Sequence, residues 1–295
     1  MNDVAGPPTG LARRGRRLPD AETERRMLQA ALNGVKRTGL TVSLDSISME
    51  DVIREADVSR SSVYRRWPYK DLFISDLVKV LAEAAVPSAT DQEAIVRLVK
   101  AVAAEHDSWL ETAEGRRGLL VELLRQAAAA DFETLYRSPE WRTYLALHAT
   151  FMSLPAGPLR DEVQETLARS QRGFIARVAR AWEHLASLFG YRLRPELGAG
   201  YELLATLVGA ISRGLILMSL SMPELVSERL NASPFGASGV EEWSVVATGM
   251  AAIAFAFFEP DPAVKWGPER VAMVRQALAT LSGPQWILPR HDGHA

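Results

Sequence analysis

The chain has 295 residues, 47% hydrophobic and 24% charged, with a formal net charge of −2 and no cysteine. That length and composition fit one large buried core or two smaller ones, so disorder is not the default expectation. The absence of cysteine excludes disulfides, thiolate metal ligands and a cysteine nucleophile, and fits a reducing cytoplasm.

Charge divides unevenly. Residues 1–80 hold 14 Lys and Arg against 11 Asp and Glu, net +3, which leaves 20 against 25, net −5, in the remainder. The two parts are expected to do different work. Residues 1–19 carry Arg13, Arg14, Arg16 and Arg17 among Pro and Gly and read as a flexible basic arm. No apolar segment follows, so export is not expected.

A first helix is predicted over Asp20 to Thr38, with Glu22 and Glu24 in its opening turn, an apolar stripe from Met27 to Val35, and Lys36, Arg37 and Gly39 at its close. A short second helix is predicted with Ser48 as cap, ending near Ala56, where Asp57 tolerates a left-handed turn. Ser59 caps a third helix, which Pro68 stops. Two short helices joined by a three- or four-residue turn make a helix-turn-helix.

On that third helix Val63 and Trp67 fall four apart and face inward with Val58. Arg60, Ser61, Ser62, Tyr64 and Arg65 are left on the outer side. Such a face suits a DNA groove: arginine grips guanine bidentately, serine allows close approach, and a tyrosine hydroxyl binds phosphate. Lys70 can meet a phosphate at the start of the next helix, and the capping residues Ser48 and Ser59 complete the candidate DNA-binding set. A merely solvated cationic face is the bland alternative.

The stretch "ISMEDVIREADVSRSSVYRRWPYKDLF", Ile47 to Phe73, resembles the signature of tetracycline-repressor (TetR) family regulators at Ser48, Ala56, Val58, Ser59, Val63, Tyr64, Trp67, Lys70 and Leu72. The resemblance covers about residues 20–80. Asp57 departs from it by replacing a turn glycine, and Tyr69 by replacing a small polar cap. It implies an N-terminal three-helix DNA-binding domain at 20–80 and a C-terminal helical ligand-binding and dimerisation domain at 81–284, with a tail at 285–295. It further implies a homodimer that binds double-stranded DNA at a palindromic operator and is released by a small-molecule effector. The Arg13 to Arg17 arm would touch phosphate or the minor groove, the alternative being a disordered solubilising tail.

The remainder reads as helices: Asp91 to Glu111, Gly118 to Tyr136, Glu140 to Met152, Leu159 to Phe189, Pro195 to Met222, Glu241 to Phe258 and Pro268 to Leu281. The expected fold is all-α, without strands, and with a long loop over Pro223 to Gly239. The apolar runs Leu203 to Met222 and Val245 to Phe258 read as buried core helices rather than membrane spans.

His106 and His148 stand on apolar stripes. With Trp109, Phe151, Met152 and Phe174 they are candidates for a mostly apolar effector cavity, the alternative being ordinary core residues. Arg213 can hold an effector carboxylate or form an internal ion pair. The apolar faces of Leu159 to Phe189 and Glu241 to Phe258 are candidates for the dimer interface, or for intrachain core.

No metal or cofactor is expected, because the five histidines include no His-x-x-x-His pair. An enzyme is not expected, because no phosphate loop, dinucleotide fingerprint or nucleophile elbow is present. An architectural DNA binder without effector is the remaining rival.

Overall fold

The computed structural model describes residues 19–38, 47–85 and 92–282. The basic arm with Arg13 to Arg17 and the tail from residue 285 lie outside the described residues. The described chain is all-α apart from two small sheets, and it divides into two compact units.

The first unit holds the described residues up to Ala84 together with Ala146–Val163. Its helices are α1 (Asp20–Thr38), α2 (Met49–Ala56), α3 (Arg60–Arg66) and α4 (Lys70–Ala84). α1 matches its predicted span, with acidic residues in its first turn and Lys36 and Arg37 in its last. It packs against the other three and buries Met27, Ala31 and Val35.

Ser48 caps α2 and Ser59 caps α3, as their spacing predicts. Asp57 closes α2 in the left-handed region at φ 51° and ψ 53°, a conformation that glycine adopts at lower cost. The core between the helices is Val52, Ile53, Val63, Trp67, Phe73 and Leu77. Trp67 is fully buried, lies edge-on to Phe73 at 5.1 Å between centroids, and donates its indole N–H to Asp76 Oδ2 at 2.9 Å.

The first unit also takes in Ala146–Val163, the end of one helix and the start of the next. Lys79 Nζ meets Glu162 Oε2 at 2.7 Å, and Val163 is fully buried.

The second unit contains Ala85–Leu145 and the chain from Gln164 onward. Its helices are α5 (Gln92–Glu105), α6 (Ala113–Arg137), the first part of α7 (Pro139–Ser153), most of α8 (Pro158–Leu188), α9 (Tyr201–Ser219), α10 (Glu224–Ser227), α11 (Val245–Phe257) and α12 (Pro268–Thr280). α6 lies at the centre, against α5, α9 and α11, and buries Leu119, Leu120 and Leu123 completely or nearly so. Trp182 and Leu185 of α8 join this core, and Val163 and Leu167 are also buried. These apolar residues, candidates for a dimer face, are therefore spent within the chain.

Three expectations are corrected. Strands do occur: β1 (Tyr191–Leu193) pairs antiparallel with β4 (Phe258–Pro260), and β2 (Arg229–Ala232) with β3 (Glu241–Ser244). The expected loop after Pro223 therefore contains α10 and one arm of a hairpin, and the expected helix from Glu241 begins only at Val245. Ser244 caps it by accepting from the Ala247 N–H. These strands are three or four residues long, below the length at which alternation is readable.

The third correction is α9. It is the one helix among the described residues long and apolar enough to cross a membrane, at mean hydropathy 1.5 with a third of that window buried. It is not the fully buried helix expected: Leu203, Leu207, Ala210, Gly214 and Leu217 form an exposed stripe. Its opposite face packs on α11, so closely at Gly249 that a Cβ there would collide with Ile211 Cδ1.

Trp67→Ala is expected to lower the unfolding free energy by about 3–5 kcal/mol, because it opens a cavity in the first unit. Trp67→Phe, which keeps a ring but removes the donor to Asp76, is expected to lose about 1–3 kcal/mol. Urea denaturation followed by circular dichroism measures both, and equal losses for the two variants would show that packing matters less than the hydrogen bond.

Candidate nucleic-acid interface and ligand region

Two caps fix the loop and helix that carry the candidate contacts. Ser48 Oγ accepts the Asp51 N–H at 3.3 Å. Ser59 Oγ accepts the Ser62 N–H at 3.2 Å and donates to Ser62 Oγ at 2.8 Å. Ser48, Ser59, Arg60, Ser61, Tyr64 and Arg65 are all exposed on the first unit.

Ser62 is not on that face. It is 7% exposed and turns inward beside Val63, so the outward position read from the sequence is corrected. The inward arc of a seven-residue helix is centred between Val63 and its neighbour, and serine is small enough to share it, held by the Ser59 hydroxyl. Lys70 occupies the first position of α4, half-buried.

The cations of the face are engaged by acids. Arg60 Nη2 reaches Glu50 Oε2 at 2.6 Å, and the Tyr64 hydroxyl donates to Glu50 Oε1 at 3.0 Å. That hydrogen bond, with some desolvation, holds the Tyr64 phenol above its ordinary pKa. Arg65 pairs with Asp20, and Arg66 meets Glu24 at 2.9 Å and Asp76 at 3.1 Å.

Glu50 and Asp20 are the partners of this face that sequence reasoning missed. Their signal was present: each lies in the first turn of its helix, where an acid favours the positive end of the helix dipole. Exposed ion pairs contribute little to stability and are screened by salt, so a phosphate or a guanine edge can take the place of these carboxylates.

The residues expected to line an effector cavity are distributed over both units. His106 and Trp109 stack at 4.0 Å between centroids and line a cavity of about 220 Å³ with Glu122, Arg125, Gln126 and Ser238. That lining is polar, unlike the apolar cavity expected. The Arg125 and Gln126 side chains hold the half-buried Glu122 carboxyl below its ordinary pKa, against the opposing and largest effect of desolvation.

His148, Phe151 and Met152 belong to the first unit. Met152 is 74% exposed, which removes it from any enclosed cavity. Phe151 lies under the Arg160 guanidinium, 4.7 Å from its centroid. Phe174, in the second unit, stands instead beside Trp141, Tyr144 and Arg213. The internal ion pair weighed for Arg213 does not form among the described residues.

No family model matches the chain. It is 35% identical over 88 residues to an uncharacterized HTH-type transcriptional regulator of Mycobacterium tuberculosis (strain CDC 1551 / Oshkosh), and equally to regulators so named in M. tuberculosis (strain ATCC 25618 / H37Rv) and Mycobacterium bovis (strain ATCC BAA-935 / AF2122/97). The similarity spans 28% of this chain and 44% of each relative, under half the length of the proteins it matches.

Proposed function

We propose that the chain is a DNA-binding transcriptional regulator of the TetR type, a homodimeric repressor released from a palindromic operator by a small, largely apolar effector. The observation that carries the DNA-binding part is the pair of capped short helices, α2 and α3, which present Arg60, Ser61, Tyr64 and Arg65 together on an exposed face. The similarity to regulators named as HTH-type supports the same reading.

In this reading α3 enters the major groove and its arginines read base edges, while Ser48, Ser59 and Lys70 hold phosphates. Glu50 and Asp20 give up their partners on binding. Each DNA contact therefore gains only the difference between a phosphate or base and the carboxylate it displaces, which favours sites where several contacts form at once.

Dimerisation is assigned to α9. Its exposed Leu203, Leu207 and Leu217 lie at helical spacing around Ala210 and Gly214, small residues that allow close helix approach. A second copy of the same helix would supply the two-fold pairing of a dimeric DNA reader, whose two recognition helices must face half-sites one helical turn or a multiple apart.

Selection of DNA by the purified protein from a random pool is expected to return a two-fold-symmetric consensus; no enrichment over the input removes the proposal. On the selected site, Arg65→Ala is expected to lose about 1–3 kcal/mol of affinity in a gel-shift titration. Asp57→Gly is expected to bind more tightly at low salt, since it removes a negative charge beside the backbone, and unchanged affinity would place Asp57 away from the DNA.

Leu207→Glu with Leu217→Glu is expected to yield monomers in light scattering after size exclusion and to weaken operator binding. Dimers that persist in this variant would assign the interface to another face.

A further inference from the structure

Arg213 lies in the middle of α9, its guanidinium carbon 5.5 Å from the Phe174 ring centroid, 5.7 Å from Trp141 and 5.8 Å from Tyr144. Its Nη2 is buried without a hydrogen-bond partner, and so is the indole Nε1 of Trp141. The Arg177 guanidinium stands 5.9 Å from the same Phe174 ring. Among the described residues no carboxylate pairs with either arginine.

Other arginines of this unit find acids: Arg125 meets Glu122 at 2.5 Å, Arg192 meets Glu259 at 2.7 Å, and Arg275 meets Asp107 at 2.7 Å. Arg116 also lacks an acid; it is stacked 3.9 Å over Trp266, whose indole N–H is already bonded to the Leu110 carbonyl at 2.8 Å. Arg213 and Phe174 are half-buried, so a ligand would enter along these two side chains to reach the covered Arg213 Nη2 and Trp141 Nε1.

A buried donor without an acceptor is unfavourable, and more so when it carries charge. Desolvation pushes the Arg213 pKa down, against a smaller opposing pull from Tyr144. The rings offset part of this through cation–π attraction. They supply no acceptor for the in-plane N–H groups of the guanidinium, whereas a carboxylate matches that fork with two oxygens.

We infer that this cluster is a binding subsite for an amphipathic carboxylate, with Arg213 and the Trp141 indole N–H as donors and Phe174 and Tyr144 as walls for the apolar part. The inference rests on the effector reading and names the chemical class of that effector. Tyr144 keeps its place by donating to Gln171 Oε1 at 3.0 Å, which ties α7 to α8 at the site.

The test is calorimetric titration of the chain, without DNA, with 4-phenylbutyrate and with its neutral amide. The carboxylate is expected to bind at least about tenfold more tightly than the amide. Arg213→Met removes that preference, Arg213→Lys restores part of it, and Trp141→Phe weakens carboxylate binding. Arg213→Met is also expected to raise the melting temperature of the ligand-free chain, because an unpaired charge is gone.

Equal affinity for acid and amide, or no binding of either, overturns the inference. So does an Arg213→Met variant that melts lower and keeps the preference, which would make Arg213 a structural staple of the aromatic cluster. Loss of self-association in that variant, with ligand binding unchanged, would give Arg213 to a carboxylate of a second copy. Because no DNA is present, a failed titration leaves an operator consensus standing, and a failed operator selection leaves the titration readable.

Discussion

A seven-residue helix such as α3 forms too few hydrogen bonds to persist by itself, so its angle to the rest of the first unit must come from packing. Trp67 supplies it at the C-cap, fully buried, edge-on to Phe73 and bonded to Asp76. The same Asp76 carboxylate takes Arg66. One side chain from α4 thus holds both the apolar anchor and the last cation of α3. The exposed residues from Ser59 to Arg65 keep a fixed face because Trp67 cannot rotate away from that arrangement.

With the scaffold fixed in this way, the electrostatics of the face can be soft. Glu50 holds Arg60 and Tyr64 together, so on the proposed reading two candidate contacts share one acid. A single phosphate that displaces one of them leaves the other paired. The acids therefore weaken isolated, non-specific contacts more than an ensemble of contacts made at once, an effect that salt reduces by screening both kinds of pair. The net charge of the chain gives no hint of this, because it sums over residues that never meet.

The parts of the fold legible in the sequence are those set by neighbours along the chain. Ser48 and Ser59 cap as their spacing predicts, Asp57 adopts the left-handed turn, and Trp67 is buried four residues after Val63. What escaped depends on residues far apart in the chain. Ser62 turns inward through a hydroxyl bond that helical periodicity alone does not show, and β1 meets β4 across 67 residues at Arg192 and Glu259. The candidate effector residues show the same limit: His106 and Phe174 both stand on apolar patterns, yet His106 lines a polar cavity and Phe174 belongs to an aromatic cluster.

Arg213 shows how far that limitation reaches and what it conceals. From sequence, an arginine within an apolar run invites an acid as partner, yet its surroundings are three aromatic rings drawn from α7 and α8. Well-packed hydrophobic residues often serve a core better than an incompletely paired charge, so stability alone does not account for arginine there. On the proposed reading α9 carries both the effector's donor, Arg213, and the dimer stripe from Leu203 to Leu217 on its open side. A carboxylate drawn between Arg213 and Trp141 would tie α9 to α7, and any shift of α9 that accompanies it moves the dimer stripe as well. Small displacements at a packed helix pair are transmitted rather than absorbed, and α9 is packed on α11, with the Ile211 side chain over Gly249. The effector and the dimer would then be coupled through one helix, without a separate relay between them.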